Sequence, residues 1–208
     1  MNGSHGIAQP VRRREDVRLL TGQGRFADDV SQQGQLYAAF VRSPVAHGII
    51  RNVNLAAASA AAGVVDVFTG DDLAAAGIGH IVARWPKYQS AQIQSARPLH
   101  TPRPGLAQGK VRHVGEAVVM VVAETLGQAR GAADLVTLEI DELPAAVTIA
   151  DAIAPGAPEV WEDAPGNIGQ VWHRGDRQAA DDAFSKASHV SHLSLINNRI
   201  VATPMEPR

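Results

Sequence analysis

The chain has no cysteine among its 208 residues. That absence excludes disulfides, thiolate nucleophiles, Cys-based zinc sites and Cys-held iron–sulfur clusters within this chain. Any such cluster would have to sit on a partner, and the compartment expected by default is the cytoplasm. Aromatic residues are scarce, at 4%, against a hydrophobic fraction of 45%, much of it alanine. A core of thin, small-residue layers is expected. Charge of one sign is also lacking: the formal charge is −2 and the pI near 6.4, which argues against a nucleic-acid partner. No apolar run approaches the roughly 20 residues of a membrane span. Arg12-Arg13-Arg14 is followed by Glu15-Asp16 and a turn at Thr21-Gly22, where a twin-arginine signal would need an apolar region. There is no HExxH and no GxxxxGK[ST]. No serine sits in a GxSxG context, Ser43, Ser191 and Ser194 included.

What is present is clearest in residues 110–143. Ala117–Ala123 (AVVMVVA) is a short, Val-rich apolar run, the pattern of a strand buried on both faces. Thr125 and Gln128 stand at capping-box spacing and open a short Ala-rich helix over Leu126–Leu135, weakened by Gly127 and Gly131. Val136, Leu138 and Ile140 alternate with Thr137, Glu139 and Asp141, which predicts a strand with one wet face. The unit reads as β–α–β, for which a right-handed crossover is expected.

Elsewhere, Met1–Pro10 is polar and reads as loose, and a short helical segment is expected around Glu15–Leu20. Leu36–Arg42 and Ile49–Leu55 read as strands joined in a hairpin-like way across Ser43-Pro44. Ala56–Ala62 reads as a short helix stopped by Gly63, Val64–Phe68 as a strand, and Thr69–Asp72 as a capping box opening a helix that ends at Gly77. Gly79–Gln108, with Pro86, Pro98, Pro102 and Pro104, has no clear periodicity and reads as a functional loop or a strapped-down excursion. Beyond Thr148–Asp151, a third cap, come a Pro-rich connection at Pro155–Gly166 and a strand at Asn167–His173. Gln178–Ala187 is an amphipathic helix with Ala179, Ala183, Phe184 and Ala187 on one face, and His189–Ile196 a last strand. Mixed strands and helices make the fold class α/β or α+β.

Candidate chemistry is thin. His189 and His192 fall on opposite faces of a strand, and nothing fixes His80, His100 and His113 together, so no metal site is expected. Thr21-Gly-Gln-Gly24 lacks the third glycine and preceding buried strand of a dinucleotide loop, leaving a tight loop. Most carboxylates sit at caps or on exposed faces. Glu116 differs: just after Gly115 and just before a buried strand, it can bond backbone N–H groups or Arg112. No catalytic residue is identified.

Six segments in series nevertheless resemble one family: REDVRLLTGQGRFADD (Arg14–Asp29), LYAAFVRSPVAHGII (Leu36–Ile50), KVRHVGEAVVMVVAET (Lys110–Thr125), ARGAADLVTLEIDELPAAV (Ala129–Val147), NIGQVWHRGD (Asn167–Asp176) and NNRIVATPMEPR (Asn197–Arg208). They look like the N-terminal part of the large subunit of molybdenum hydroxylases, the family of xanthine dehydrogenase, aldehyde oxidase and aerobic carbon monoxide dehydrogenase. The resemblance implies an N-terminal arm at residues 1–30, a mixed-sheet α/β hammerhead domain at 31–147, a linker at 148–166 and the first elements of a molybdopterin-binding domain at 167–208. Its motif positions here are Gly115, Glu116, Arg199, Glu206 and Arg208.

The resemblance implies hydroxylation of aldehydes or N-heterocycles, or oxidation of carbon monoxide. The implied cofactor is molybdenum on molybdopterin, in the cytosine dinucleotide form. The implied partners are the remainder of the large subunit, an iron–sulfur subunit and a flavin subunit. Relatives often show a Gln near the metal shortly before the MEPR-like motif. Asn197-Asn198-Arg199-Ile200 stands there instead, so no metal-proximal role carries over. Three readings follow. The chain is a structural portion of such a large subunit without turnover alone, or a small subunit or scaffold completing the enzyme in trans, or a binding module using the Gly79–Gln108 loop.

Overall fold

A computed structural model describes residues 13–81, 93–95, 101–169, 172–197 and 200. It divides into two compact units, Met1–Gln35 with His192–Arg208, and Leu36–Ser191. The first unit holds α1 (Asp16–Leu20) and a 3-10 turn at Ala27–Asp29. Thr21 ends α1 by donating its hydroxyl to Val17 O at 2.7 Å, and Phe26 N–H donates to Asp29 Oδ2 at 2.9 Å.

The second unit runs β1 (Tyr37–Arg42), β2 (Gly48–Asn54), α2 (Ala56–Ser59), β3 (Val64–Thr69), α3 (Gly70–Ala75), β4 (Ile93–Ser95), β5 (Lys110–Val111), β6 (Ala117–Ala123), α4 (Leu126–Ala133), β7 (Thr137–Glu142), α5 (Ile149–Ala152), β8 (Trp172–Arg174) and α6 (Arg177–Lys186). The fold is mixed α+β. Its strands form two antiparallel three-stranded sheets, β1-β6-β3 and β5-β2-β7, and a two-stranded β4-β8 pair. The 3-10 turn at Pro165–Asn167 precedes β8.

β6 is the centre. It pairs from Tyr37↔Ala123 to Arg42↔Ala117 on one side and from Val64↔Ala123 to Thr69↔Val119 on the other. Val118, Val119, Val121 and Ala123 are buried, so both faces of the strand are covered, as its unbroken apolar run predicts. Val111, Ala58, Val67, Ala132 and Val136 join them in one core, with Ile50, Val53, Leu138 and Ile140 packed against it. Burying each such valine stabilises by roughly 1.5–3 kcal/mol.

Several expectations change. β6 and β7 lie in different sheets, so α4 joins two sheets and no right-handed parallel crossover exists. The half-wet alternation of β7 (Leu138 and Ile140 inward) is correct, but its partner is β2, with Ile50↔Ile140 and Val53↔Leu138. β1 and β2 likewise form no hairpin: Ser43-Pro44 carries the chain from one sheet to the other.

Thr125 Oγ1 accepts from Gln128 N at 3.2 Å as expected, but the Gln128 side chain does not reach back to the Thr125 amide. Its Oε1 takes the Thr125 hydroxyl instead, at 2.8 Å. At Thr69 and Asp72 the full reciprocal box forms. β4 interrupts the segment read as aperiodic. Of the strand expected at Asn167–His173, the described residues show Trp172–Arg174, and Asn167 instead closes a 3-10 turn.

His189–Ile196 is not a strand: none of its residues is paired, and Leu193, Leu195 and Ile196 are exposed. No strand among the described residues offers it a ladder. α6 forms, yet none of its residues is buried and Phe184 is 65% exposed, so its apolar face is uncovered. Met1–Pro10, Pro86, Pro98 and His100 fall outside the described residues.

Gly48 marks the closest approach of β2 and β7. A methyl group there would lie 2.5 Å from Ile140 Cγ2 and 2.9 Å from Asp141 O. Gly48→Ala is therefore expected to destabilise by about 1–3 kcal/mol, as overpacking does. Gly131→Ala, on a face of α4 with nothing within 4 Å, is expected to stabilise by about 0.4–1 kcal/mol. Urea unfolding of the two variants beside the parent checks both signs.

Candidate functional site

Two of the motif positions, Gly115 and Glu116, lie in the turn between β5 and β6. Ser43 N–H donates to Glu116 O and Gly115 N–H to Ser43 O, both at 2.8 Å, which ties the end of β1 to this turn. Arg42 Nη1 donates to Gly115 O at 2.9 Å. Gly115 has φ +83, a left-handed conformation that a β-carbon disfavours. Glu116 Oε2 accepts the backbone N–H of Arg112 at 2.5 Å and lies 3.7 Å from His113 Nδ1. Of the two partners foreseen for Glu116, the backbone N–H is the one it bonds. Gly115 and Glu116 thus meet in one turn, whereas Arg199, Glu206 and Arg208 lie outside the described residues.

The corner at Ser43–Gly48 is built in the same way. Ser43 Oγ donates to Val45 O at 2.8 Å and accepts from Val45 N at 3.2 Å. His47 is buried, its Nδ1 is 2.9 Å from Pro144 O, and its backbone O accepts Leu143 N–H at 2.9 Å. The carbonyl partner makes Nδ1 the protonated nitrogen, and Nε2 is enclosed without a partner.

The guanidinium of Arg112, released from Glu116, stacks on Trp161 with Cζ 3.7 Å from the ring centroid. Such a contact is worth about 0.5–2 kcal/mol. Beside it Lys110 Nζ pairs with Glu162. That bond, chiefly, holds the Glu162 carboxyl below the usual glutamate range, with the Glu162 amide and the charge of Arg112 assisting. Neither contact was legible in the sequence, because Lys110-x-Arg112 and Trp161-Glu162 carry no shared periodicity or motif.

Elsewhere a cleft of about 320 Å³ is lined by Ile50, Arg51, Val53, Thr69, Gly70 and Asp71, among others. Its one cation, Arg51, is already bonded through Nε to Asp141 Oδ2 at 2.5 Å. Asp72 accepts the Thr69 hydroxyl at 2.6 Å and the Thr69 N–H at 2.7 Å. The hydroxyl first, and then the amide, lower its pKa below the usual aspartate range. Among the described residues no three His, Asp or Glu side chains gather to hold a metal ion. His189 Nε2 turns to Ser191 Oγ at 3.0 Å. Thr21-Gly22 is a turn at the end of α1.

Comparison with known proteins identifies the scaffold. The family model described as "Aldehyde oxidase and xanthine dehydrogenase, a/b hammerhead domain" matches residues 21–144, more than half of the chain. The large subunit of nicotine 6-hydroxylase from Paenarthrobacter nicotinovorans is 39% identical over 204 residues, covering 97% of this chain and 23% of the relative. The xanthine dehydrogenase molybdenum-binding subunit of Escherichia coli O157:H7 is 33% identical over 71% of this chain and 19% of its own length. Among solved structures, reconstituted CO dehydrogenase from Oligotropha carboxidovorans superposes with a TM-score of 0.67 at 29% identity, covering 86% of this chain and 22% of that one. The chain therefore spans about a fifth of the length of these relatives.

The depressed pKa of Asp72 fixes the sign of a pH effect. Its folded value lies below its unfolded value, so the ionised cap stabilises fully above the ordinary aspartate range. That contribution is lost as pH falls through the folded value. Thr69→Ala removes the cap and is expected to destabilise by about 1 kcal/mol at neutral pH. The gap from the parent should narrow on acidification, as urea unfolding at a series of pH values would show.

Proposed function

The chain belongs to the aldehyde oxidase and xanthine dehydrogenase family and corresponds to the N-terminal region of molybdenum hydroxylase large subunits, and on that premise we propose that it is the structural, hammerhead portion of such a subunit, without turnover by itself. The observation that carries this reading is the pairing of two facts. The family match covers the whole core cluster around β6, and the chain spans about a fifth of relatives that include a molybdenum-binding subunit.

The implied molybdopterin needs donors for its phosphate and ring edges and thiolate-compatible space for the metal. The described residues fit it poorly. The partnerless buried nitrogens are His47 Nε2, sealed in the core, and Arg112 Nε, beside Trp161. The cleft cation is neutralised by Asp141. We assign the cofactor, in its cytosine dinucleotide form, to the remainder of the large subunit. Electrons leaving it would pass to the iron–sulfur and flavin partners, in the cytoplasm. No helix among the described residues is long and apolar enough to cross a membrane. The linker at 148–166 and the start of the molybdopterin-binding domain at 167–208 belong to the same proposal.

A second reading, a scaffold that completes the enzyme in trans, is favoured by one observation. Leu193, Leu195 and Ile196 are 78–89% exposed, and the apolar face of α6 is uncovered; apolar surface of this kind calls for a covering partner.

Purified 208-residue chain is expected to carry molybdenum far below one equivalent by elemental analysis and to oxidise no aldehyde, N-heterocycle or carbon monoxide. Stoichiometric molybdenum, or oxidation unaided, overturns the first reading. Isolation of the native polypeptide from cells as a stable monomer of this length, with no partner, overturns the second.

A further inference from the structure

We propose that residues 152–167 form a strap rather than a flexible linker, folded on Asn167 and fastened to the body of the fold by Arg112 and Lys110. Arg112, Trp161 and Asn167 are then positioning residues that fix where the chain leaves the hammerhead.

The strap closes on one side chain. Asn167 Nδ2 donates to Ala152 O at 2.9 Å and to Pro158 O at 3.0 Å, and its Oδ1 accepts Val160 N–H at 2.9 Å. Its backbone sits at φ +56, which asparagine tolerates better than most residues. Gly166 N–H adds a bond to Glu159 Oε1 at 3.1 Å, Ala164 N–H donates to Trp161 O at 3.0 Å, and Ala164 is 4% exposed. Pro155, Pro158 and Pro165 stiffen the path between these ties.

The tip of this closed loop carries Trp161 and Glu162 to the β5–β6 turn. Glu116 is engaged by the Arg112 backbone N–H, and the Arg112 guanidinium has no carboxylate within bonding distance. The indole face is what stabilises that half-buried cation. Lys110, next but one in the chain, fastens the adjacent Glu162. Two consecutive strap residues therefore meet two cations, Lys110 in β5 and Arg112 just after it, at the start of a turn that is itself tied to β1. A solvated linker has no need of this arrangement.

Hydrogen–deuterium exchange on the intact chain tests the strap. In the parent, amides of residues 160–167 are expected to exchange roughly tenfold or more slower than an unstructured loop. Trp161→Ala and Asn167→Gly should each abolish that protection while residues 117–123 stay protected. Asn167→Gly keeps the left-handed backbone accessible and removes only the side-chain bonds, so it decides the matter if Trp161→Ala perturbs the core. Unprotected exchange across 160–167 in the parent, or protection that survives Asn167→Gly, overturns the proposal. The measurement needs no molybdenum and no partner, so its failure is separable from failure of the functional reading.

Discussion

Burial of β6 between two antiparallel neighbours is the constraint from which the rest follows. A strand whose Val118, Val119 and Val121 are all covered needs apolar material on both faces and backbone partners on both edges. β1 and β3 supply the edges. α2, α4 and the inner residues of the β5-β2-β7 sheet supply the cover, and small residues such as Ala58 and Ala132 let the helices approach closely. With few aromatics available, the layers must stay thin. Within the second sheet β7 crowds Gly48 so closely that a methyl group would meet Ile140 and Asp141 O.

The loops inherit their geometry from this core. The β5–β6 turn is held by hydrogen bonds to Ser43 and Arg42 because β1 and β6 are already in register beside it. Glu116 serves the turn by accepting a backbone N–H, which frees the neighbouring guanidinium to act outward. Glu116, a carboxylate whose place in the sequence suits a backbone N–H bond, is therefore a bracket in the structure. Its neighbour Arg112 makes the longer-range contact.

Local signals were legible and pairings were not. The Val-rich run, the Thr69–Asp72 box and the Thr148 cap depend on residues within one or two turns, and each formed where the spacing placed it. Strand partnership depends on which sheet a strand joins. Residues 110–143 contain nothing to say that β6 and β7 would part company, or that Ser43-Pro44 would redirect the chain instead of closing a hairpin. His189–Ile196 is expected as a strand and is none, because a strand exists only where another edge receives it. Asn167 escaped notice because its role rests on a backbone angle and on three partners spread over residues 152–160. The backbone N–H bond of Glu116 is within reach of the sequence, whereas the stacking of Arg112 on Trp161 is not, because it joins residues 49 apart with no shared motif.

The interleaving of the two sheets also has a consequence in time. One sheet takes strands from residues 37–42, 64–69 and 117–123, the other from 48–54, 110–111 and 137–142. Neither can be completed from a contiguous piece of chain. During synthesis β1 must wait for β6, and β2 for β7, so the early strands leave the ribosome with open, apolar edges. Topologies of this kind close late and slowly. The nascent chain is most exposed in the interval before β6 emerges, when β1, β2 and β3 are made and none of them yet has its partner strand.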